Sequence, residues 1–352
     1  MSKLVLISRF AVNALSGHFL LDDEYYFHFL NRKGVDFRLY TSRYSAERIL
    51  NSFPADCDRI HALEDGQPRL DRGDRVIFLG FSEVDVIVFL LKNLLRLPRL
   101  VLIATNNFSS GRIARYRTFL KIFLLLINGS LERLVLHTAH ERRLVTDLDK
   151  RAGAKAVIKK HHMMMPQYTP SMDFGTDQPI IAYFGPEKRE KPIDPLLCLI
   201  RADRGRRFLY RLYNVDRALL RAQLPDIAER SNVQVVDGWQ SHESYLRAAR
   251  SSTLLFLSHT RDFEGKLSGN LCDSFALGIP YIARAMEPMT SYHVHYGPLG
   301  YLVDFDDPDW PEYFRRAYSP ANIARMRGNL HRLGIDHSAD AIDTNLAACL
   351  LD

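Results

Sequence analysis

Residues 253–283 of the chain read TLLFLSHTRDFEGKLSGNLCDSFALGIPYIA. Apolar runs at residues 253–257 and 280–283 predict strands, and residues 271–277 between them predict a helix. Parallel strands need a crossover to join them, and that crossover is usually a helix. This stretch therefore predicts an α/β fold built on a parallel sheet.

The same alternation extends in both directions from this stretch. In the second half, further strands are predicted at residues 180–184, 233–236 and 301–303, and further helices at residues 195–200, 207–224 and 243–249. In the first half, strands are predicted at residues 4–7, 37–40, 76–79, 100–104, 134–136 and 156–158, and helices at residues 23–32, 85–95, 112–127 and 139–150. Each half therefore predicts its own doubly wound, Rossmann-like sheet.

The two predicted sheets are separated by residues 159–179, which contain three prolines and no sustained periodicity, as expected for a linker. We predict an N-terminal domain at residues 1–165, a C-terminal domain at residues 178–335 and a helical tail at residues 336–352. Ligands of open parallel sheets bind beyond the carboxyl ends of the strands. The predicted binding site is therefore a cleft that the two domains face.

The composition excludes several classes of protein. A chain of 352 residues exceeds the usual size of one core, and 47% hydrophobic with 25% charged residues is typical of globular proteins. The longest strongly apolar run, residues 119–127, is too short to span a bilayer, and the N-terminus has no signal-peptide cleavage site. The four cysteines form no CxxC pair, so we expect a cytoplasmic protein without a disulfide framework or a zinc knuckle.

Positive charge is concentrated in one segment. Residues 92–161 contain 15 Lys or Arg and 4 Asp or Glu, so this segment carries +11 while the whole chain carries +6. Its predicted helix begins with basic residues and ends almost wholly apolar, a pattern that suits an anionic membrane surface. The candidate membrane residues are Arg112, Arg115, Arg117, Phe119 and Lys121.

A core helix with an ordinary solvated basic face is an equally open interpretation of that helix. Nucleic-acid binding is disfavoured, because the rest of the chain is acidic and has no zinc finger, basic zipper or base-stacking strand. The paired histidines His161-His162 and His293-Val-His295 have no cysteine or acid at metal spacing. We therefore expect no metal and no cofactor.

Four stretches of the second half, in this order, carry a resemblance to a known family: residues 181–192 (IAYFGPEKREKP), 232–250 (NVQVVDGWQSHESYLRAAR), 253–283 and 299–308 (LGYLVDFDDP). They resemble the nucleotide-sugar domain of GT-B glycosyltransferases, most closely the retaining Glu-x7-Glu group, family 4-like. The resemblance implies two Rossmann-like domains and a nucleoside-diphosphate sugar as donor.

The resemblance also implies which residues meet the donor. The diphosphate leaves with growing negative charge, which cations and backbone N–H groups at a helix N-terminus stabilise. The implied donor residues are Gly185, Arg189, Lys191, Ser268, Gly269, Asn270 and Asp273. Asp273 would accept hydrogen bonds from the ribose, and Glu264 would face the donor sugar as a catalytic residue. The sequence departs from the family in spacing, because Glu264 and Asp273 are nine positions apart instead of eight and the second acid is Asp.

The first domain is then expected to hold the acceptor and any catalytic base. Its candidates lie after predicted strands: Ser16, Gly17 and His18 form an acceptor loop with Asn106 and Asn107, and Asp22 and Glu83 are candidate catalytic acids or bases. If the reaction inverts configuration, Asp23 and Glu24 are further candidate bases. Helix capping is an alternative role for Asp22 and Asp23.

Together these observations predict a glycosyltransferase that moves a sugar from a nucleoside-diphosphate sugar to a glycan or lipid-linked acceptor, as in bacterial surface polysaccharide synthesis. We expect peripheral contact with the inner face of the plasma membrane, and the family resemblance favours retention of configuration. Two alternatives remain open at the level of sequence. The chain could be a non-catalytic relative that binds glycans or membranes, or a sugar-nucleotide epimerase of the same architecture.

Overall fold

The computed structural model describes residues 3–8, 18–65, 68, 70–71, 73–96, 98–105, 107–167, 178–185, 188–237 and 242–351. The chain divides into two compact units. The first comprises Met1–Lys160 together with Asp343–Asp352, and the second comprises His161–Ile342.

The first unit is a seven-stranded parallel sheet with helices between its strands. Its elements are β1 (Leu4–Ile7), α1 (His18–Arg32), β2 (Phe37–Thr41), α2 (Arg43–Ser52), β3 (Ile60–Ala62), β4 (Arg75–Leu79), α3 (Glu83–Lys92), β5 (Arg99–Ile103), α4 (Ser110–Ile127), β6 (Leu131–Leu136), α5 (Ala139–Leu148), α6 (Lys150–Ala154) and β7 (Ala156–Ile158). The strand order is β3-β2-β1-β4-β5-β6-β7. The chain therefore reverses its direction of winding between β1 and β4.

The second unit is a six-stranded parallel sheet of the same kind. Its elements are β8 (Ile180–Phe184), α7 (Asp194–Ala202), β9 (Leu209–Tyr213), α8 (Arg217–Gln223), β10 (Val233–Val236), α9 (His242–Arg250), β11 (Leu254–Leu257), α10 (Gly269–Leu277), β12 (Tyr281–Arg284), α11 (Met289–Tyr296), β13 (Tyr301–Val303), α12 (Trp310–Ala317) and α13 (Pro320–Asp336). The strand order is β10-β9-β8-β11-β12-β13, so winding reverses between β8 and β11.

The strands form where consecutive residues are apolar, because helices cover both faces of each sheet and side chains on either face are therefore buried. All four residues of β11 are buried. Leu254 and Phe256 belong to one hydrophobic cluster, and Leu255 and Leu257 belong to another. Since successive strand residues point to opposite faces, these two clusters are the cores on the two sides of the second sheet. The predicted fold class, two doubly wound parallel α/β units, is confirmed.

One predicted helix was wrong. Residues 207–224 form β9 and then α8. In β9, Tyr210 and Leu212 are buried while Arg211 is partly exposed, which is the alternation of a strand. Asp216 then caps α8, since its side chain accepts hydrogen bonds from the backbone N–H groups of Ala218 and Leu219.

The last helix, α14 (Ala339–Leu350), returns to the first unit from Asp343 onward. Asp343 forms a salt bridge of 2.9 Å with Arg32 on α1. The Asn345 amide donates to the carbonyl of Ile158 at the end of β7. Residues 343–351 are therefore part of the first unit, whereas the sequence suggested a separate tail. Among the described residues, no helix combines the length and the apolar character needed to span a membrane.

Candidate functional site

The carboxyl ends of β8 and β11 lie side by side at the point where winding reverses in the second sheet. Such a point leaves a crevice between loops that turn to opposite sides, and ligands of open α/β sheets bind there. The loop after β8 contains Arg189 and Lys191, and the loop after β11 leads through Glu264 to the start of α10. The structure therefore brings the predicted donor residues to one edge of the sheet.

Gly185 directly follows β8 and has a packing role. Its N–H donates to the carbonyl of Tyr213 at 2.9 Å. A Cβ atom built on Gly185 would lie 2.6 Å from the backbone oxygen of Asn214, closer than real Cβ contacts allow. Asn214 itself has a left-handed backbone, with φ +54°. Glycine is therefore required at position 185 by the close approach of the ends of β8 and β9.

The basic residues after β8 lie on a tight turn. Lys188 and Lys191 exchange backbone hydrogen bonds, and Arg189 lies exposed at the tip between them. Lys191 is partly buried, and burial together with the neighbouring Lys188 lowers the pKa of its ammonium group. The turn is held to the sheet by the Tyr183 hydroxyl, which donates to the carbonyl of Lys191 at 3.2 Å. Lys191 is thus the positioned cation of this turn.

The turn after β8 contacts the loop after β11 directly. The N–H of Thr260 donates to the carbonyl of Glu190 at 3.0 Å, and the Lys266 ammonium lies 2.8 Å from the Glu190 carboxylate. The centroid of the Phe263 ring lies 5.6 Å from the ammonium nitrogen of Lys191 and 5.2 Å from that of Lys266. These contacts place two lysines from different loops around one aromatic ring.

His259 follows β11 and faces the same cluster. Its side chain is only 3% exposed, and its ring stacks on Phe263 with centroids 4.2 Å apart. Neither ring nitrogen has a hydrogen-bond partner among the described residues. Burial lowers the pKa of His259 to about 3, and Lys191 and Lys266 contribute in the same direction. His259 is therefore a neutral, buried imidazole with an unused N–H donor, which sequence analysis did not single out.

The N-terminus of α10 completes this edge of the sheet. The Ser268 hydroxyl caps the helix by accepting from the N–H of Leu271 at 3.1 Å. Helix geometry leaves the N–H groups of Gly269 and Asn270 without intrahelical acceptors. The Asn270 side chain donates to the carbonyl of Phe184 at 3.4 Å, which ties α10 to the end of β8. The two open amides and the helix dipole therefore lie beside β8 and favour an anion.

Asp273 lies one turn further along α10. The hydroxyl of Tyr245 on α9 donates to the Asp273 carboxylate at 2.5 Å. The Tyr245 ring packs edge-on against Phe184 with centroids 4.7 Å apart, and Phe184 stacks on Tyr213 at the same separation. This arrangement fixes the Asp273 carboxylate next to an aromatic wall at the ends of β8 and β9.

Glu264 lies at a sharp bend between β11 and α10. It ends the short 3-10 turn Arg261–Phe263 and is partly buried. The following Gly265 has φ +81°, a conformation that strongly favours glycine, and its N–H donates to the carbonyl of Glu287 at 2.9 Å. A glycine after Glu264 is therefore explained by the backbone, since Gly265 makes the bend that positions Glu264.

In the first unit, Glu83 starts α3 and is 3% exposed. Its carboxylate accepts from the Asn107 amide at 3.0 Å and from the Arg112 guanidinium at 2.6 Å. Asn107 also donates to the carbonyl of Phe81. These three predicted site residues thus form one hydrogen-bonded group that joins α3 to α4 after β4 and β5, with Glu83 and Asn107 buried and Arg112 partly exposed.

Asp22 and Asp23 lie in the second turn of α1, which begins at His18, so neither is an N-cap. Burial raises the pKa of each carboxyl group to about 6, against the opposing effect of Lys159 on Asp22. Asp23 accepts hydrogen bonds from the hydroxyls of Thr41 at 2.8 Å and Ser45 at 2.7 Å. The capping alternative for both acids was wrong because α1 begins earlier than the sequence predicted.

Some predicted residues fall outside the described part of the chain: Ser16, Gly17, Asn106 and the side chain of His18. On α4, Arg115, Arg117, Phe119 and Lys121 are exposed. Arg112 is instead partly buried by its salt bridge with Glu83. Arg112 is therefore committed to a protein contact and differs from the other candidate membrane residues.

No family model and no curated protein sequence matches the chain. Solved structures do match over nearly the full length. HepE from Anabaena, in complex with UDP, aligns with TM-score 0.67 at 10% identity and 99% coverage of both chains. A glycosyltransferase from Rickettsia africae aligns with TM-score 0.69 at 10% identity, covering 99% of this chain and 98% of its own. A UDP-forming trehalose-phosphate synthase from Burkholderia xenovorans aligns with TM-score 0.61 at 9% identity and 99% coverage of both chains.

These identities are too low to transfer an activity, but the alignments extend over both units. The two parallel α/β sheets of this chain, with seven and six strands, both lie within the aligned length. The chain therefore has the GT-B fold of these glycosyltransferases.

Proposed function

We propose that this protein is a cytoplasmic glycosyltransferase that moves a sugar from a nucleoside-diphosphate sugar to a glycan or lipid-linked acceptor at a membrane face, as in surface polysaccharide synthesis. One observation carries the proposal. Lys191, the open amides of α10 and His259, whose ring nitrogens have no hydrogen-bond partner in the described part of the chain, belong to adjoining segments at the β8–β11 edge. That set of groups suits an anion bound where α/β sheets take nucleotides.

The nature of the anion is supported by the related structures. HepE was solved with UDP and with UDP-glucose, and the trehalose-phosphate synthase is described as UDP-forming. In the proposed reaction the bond between the sugar C1 and the diphosphate oxygen breaks, and the diphosphate takes the electron pair. The acceptor hydroxyl forms the new bond to C1, and its proton passes to the departing diphosphate.

The residues have separate roles in this proposal. Lys191 and the N–H groups of Gly269 and Asn270 stabilise the charge on the leaving diphosphate. Asp273, held by Tyr245, accepts hydrogen bonds from the ribose. Glu264 faces the donor sugar. Because fixed cations and amides meet the diphosphate, we propose that transfer needs neither a metal nor a cofactor.

We further propose that transfer retains the anomeric configuration, on the basis of the Glu-x7-Glu resemblance. NMR of the first product formed tests this directly, because retention and inversion give different anomers. A product of inverted configuration would refute this part of the proposal and leave the donor site unaffected.

The central test is incubation of the protein with UDP-, GDP- and ADP-sugars, followed by measurement of released nucleoside diphosphate and by calorimetry with UDP, GDP and ADP. We expect one nucleotide to bind and its sugar to be transferred or slowly hydrolysed. Binding without turnover in the presence of glycan and lipid-linked acceptors would indicate a non-catalytic relative. Conversion of the donor into an isomeric nucleotide sugar would indicate an epimerase. No binding of any nucleotide would refute the proposal.

A further inference from the structure

An unusual apolar surface lies on α3 and α4 of the first unit. Among the described residues, fifteen large hydrophobic side chains are exposed, and ten of them belong to these helices or the turn after α3. They are Val84, Val88, Leu91, Leu94, Leu95, Tyr116, Phe119, Ile122, Leu125 and Leu126. We call them the α3–α4 face. Contiguous apolar surface of this kind marks a site of interaction with a partner or a membrane.

The second half of α4 shows why this face is more than a poorly covered core. One side of this helix is fully buried in the hydrophobic core of the first unit, through Leu120, Phe123, Leu124 and Ile127. Residues on the other side of the same turns are also apolar, and Leu125 and Leu126 are 63% and 62% exposed. A surface helix normally carries polar residues there. The outward apolar side chains therefore require an apolar partner of their own.

The face contains a groove with a volume of about 610 Å³. Its apolar walls come from Leu91 and Leu94 on one side and Leu126 on the other, and Arg99 lies at its edge. Arg99 is the first residue of β5, so the groove is at the amino edge of the sheet. Ligands of α/β sheets bind at the carboxyl edge. The groove is therefore separate from the candidate donor site, which lies at the carboxyl edge of the second sheet.

Charge identifies the partner. Lys92, Arg115, Arg117 and Lys121 are exposed on the two helices, and none forms a salt bridge with a described acidic residue. The two helices contain only two acidic residues, Glu83, which is buried against Arg112, and Asp85, which is partly buried. Apolar side chains among uncompensated cations match a bilayer with anionic headgroups. A second copy of the chain would bring these cations together and is disfavoured.

We infer that the α3–α4 face docks on a membrane of anionic phospholipid, with Leu91 and Leu94 in the hydrocarbon layer and a lipid acyl chain in the groove. This inference rests on the proposed function, which places the enzyme at a membrane face. It adds α3 and the groove to the membrane-contacting surface that the sequence predicted for α4 alone. Arg112, bonded to Glu83, takes no part in it.

The first test is flotation with vesicles of phosphatidylcholine, alone or mixed with phosphatidylglycerol. We expect binding only to the anionic vesicles. Combined substitution Arg115→Ser, Arg117→Ser and Lys121→Ser lowers the partition coefficient about a hundredfold, as expected for three basic side chains near an anionic surface. The matched control variant carries Arg204→Ser, Arg221→Ser and Arg316→Ser. These three arginines are exposed on the second unit, so the control loses the same net charge away from the α3–α4 face.

The second test locates the hydrocarbon contact. Leu94→Trp places a fluorophore in the groove, and Ile335→Trp places one at a similarly exposed position on α13. With anionic vesicles brominated on the acyl chain, we expect quenching of the Leu94→Trp emission above the background of the native tryptophans, and none for Ile335→Trp.

Absence of wild-type binding to anionic vesicles, equal loss in the control triple variant, or equal quenching at both positions would overturn the inference. Neither measurement includes a nucleotide sugar. A failure here is therefore distinguishable from a failure of donor binding, which is measured without vesicles.

Discussion

Lys191→Met separates an electrostatic role in catalysis from a structural one. In the folded protein, burial and Lys188 lower the pKa of Lys191, so the protonated ammonium group is disfavoured relative to the unfolded chain. Below this lowered pKa the charge therefore subtracts from stability, and its removal by a methionine of similar length relieves that cost. We expect the melting temperature of the variant at pH 7 to be unchanged or raised.

Activity is expected to change in the opposite direction. A hydrogen bond between an ammonium group and a diphosphate contributes about 1.5–3 kcal/mol. Since about 1.4 kcal/mol corresponds to a factor of ten, kcat/KM falls about ten- to a hundredfold. Partial burial and the ring of Phe263 exclude water around the ammonium group, which favours the upper end of that range.

The assay is release of nucleoside diphosphate from the donor identified by the panel, with thermal unfolding of the same preparations. Lys188→Met is the matched control, because Lys188 lies on the same turn but is exposed. We expect it to retain activity within about threefold, as an exposed and well-screened charge contributes little. Equal losses in the two variants, or full activity of Lys191→Met, would refute the reasoning.

Three further predictions concern stability, pH and metals. Gly185→Ala is expected to lower the free energy of unfolding, measured with denaturant, by about 1–3 kcal/mol, because the added Cβ atom meets the Asn214 backbone. Gly269→Ala is the control and is expected to leave the free energy of unfolding unchanged, because the space around its Cβ position is open. Burial raises the pKa of the Glu141 carboxyl group from 4.5 to about 7, so the folded state binds the carboxyl proton more tightly than the unfolded chain does. The free energy of unfolding therefore falls as the pH rises from about 4.5 to about 7. We expect Glu141→Gln to flatten the plot of melting temperature against pH in this range, and an unchanged plot would contradict the assignment. Because Lys191 and the α10 amides take the diphosphate charge in our proposal, EDTA leaves the rate of transfer unchanged, and a tenfold loss restored by Mg²⁺ would show that a metal is needed.

The alternation of strands and helices was readable from sequence because its cause is local. Each sheet is covered on both faces, so a central strand such as β4 is apolar without a break from Val76 to Leu79, and all five of its residues are buried, including Arg75 at its start. The same rule failed for β9, whose Arg211 interrupts the run. That strand lies next to the edge strand β10, where the Arg211 side chain reaches the amide oxygen of Gln234.

The candidate site was partly predictable for a related reason. Gly185 and Lys191 lie in the loop after β8 and Ser268 caps α10, and parallel topology brings all such positions to one edge. His259 occupies the same kind of position, but nothing in its local sequence marks it. Its character comes from burial against Phe263 and from two lysines on different loops, which only the folded chain brings near it.

The sequence by itself determined the fold class, the two sheets and the basic character of α4, because hydrophobic periodicity and charge density are properties of neighbouring residues. Only the tertiary structure decided which charges are free. It pairs Arg112 with Glu83, leaves Arg115 and Lys121 without an acidic partner among the described residues, and joins α3 to α4 in one apolar face. Charge pairing and exposure depend on residues far apart in the chain, so they are fixed only when the sheet brings those residues together.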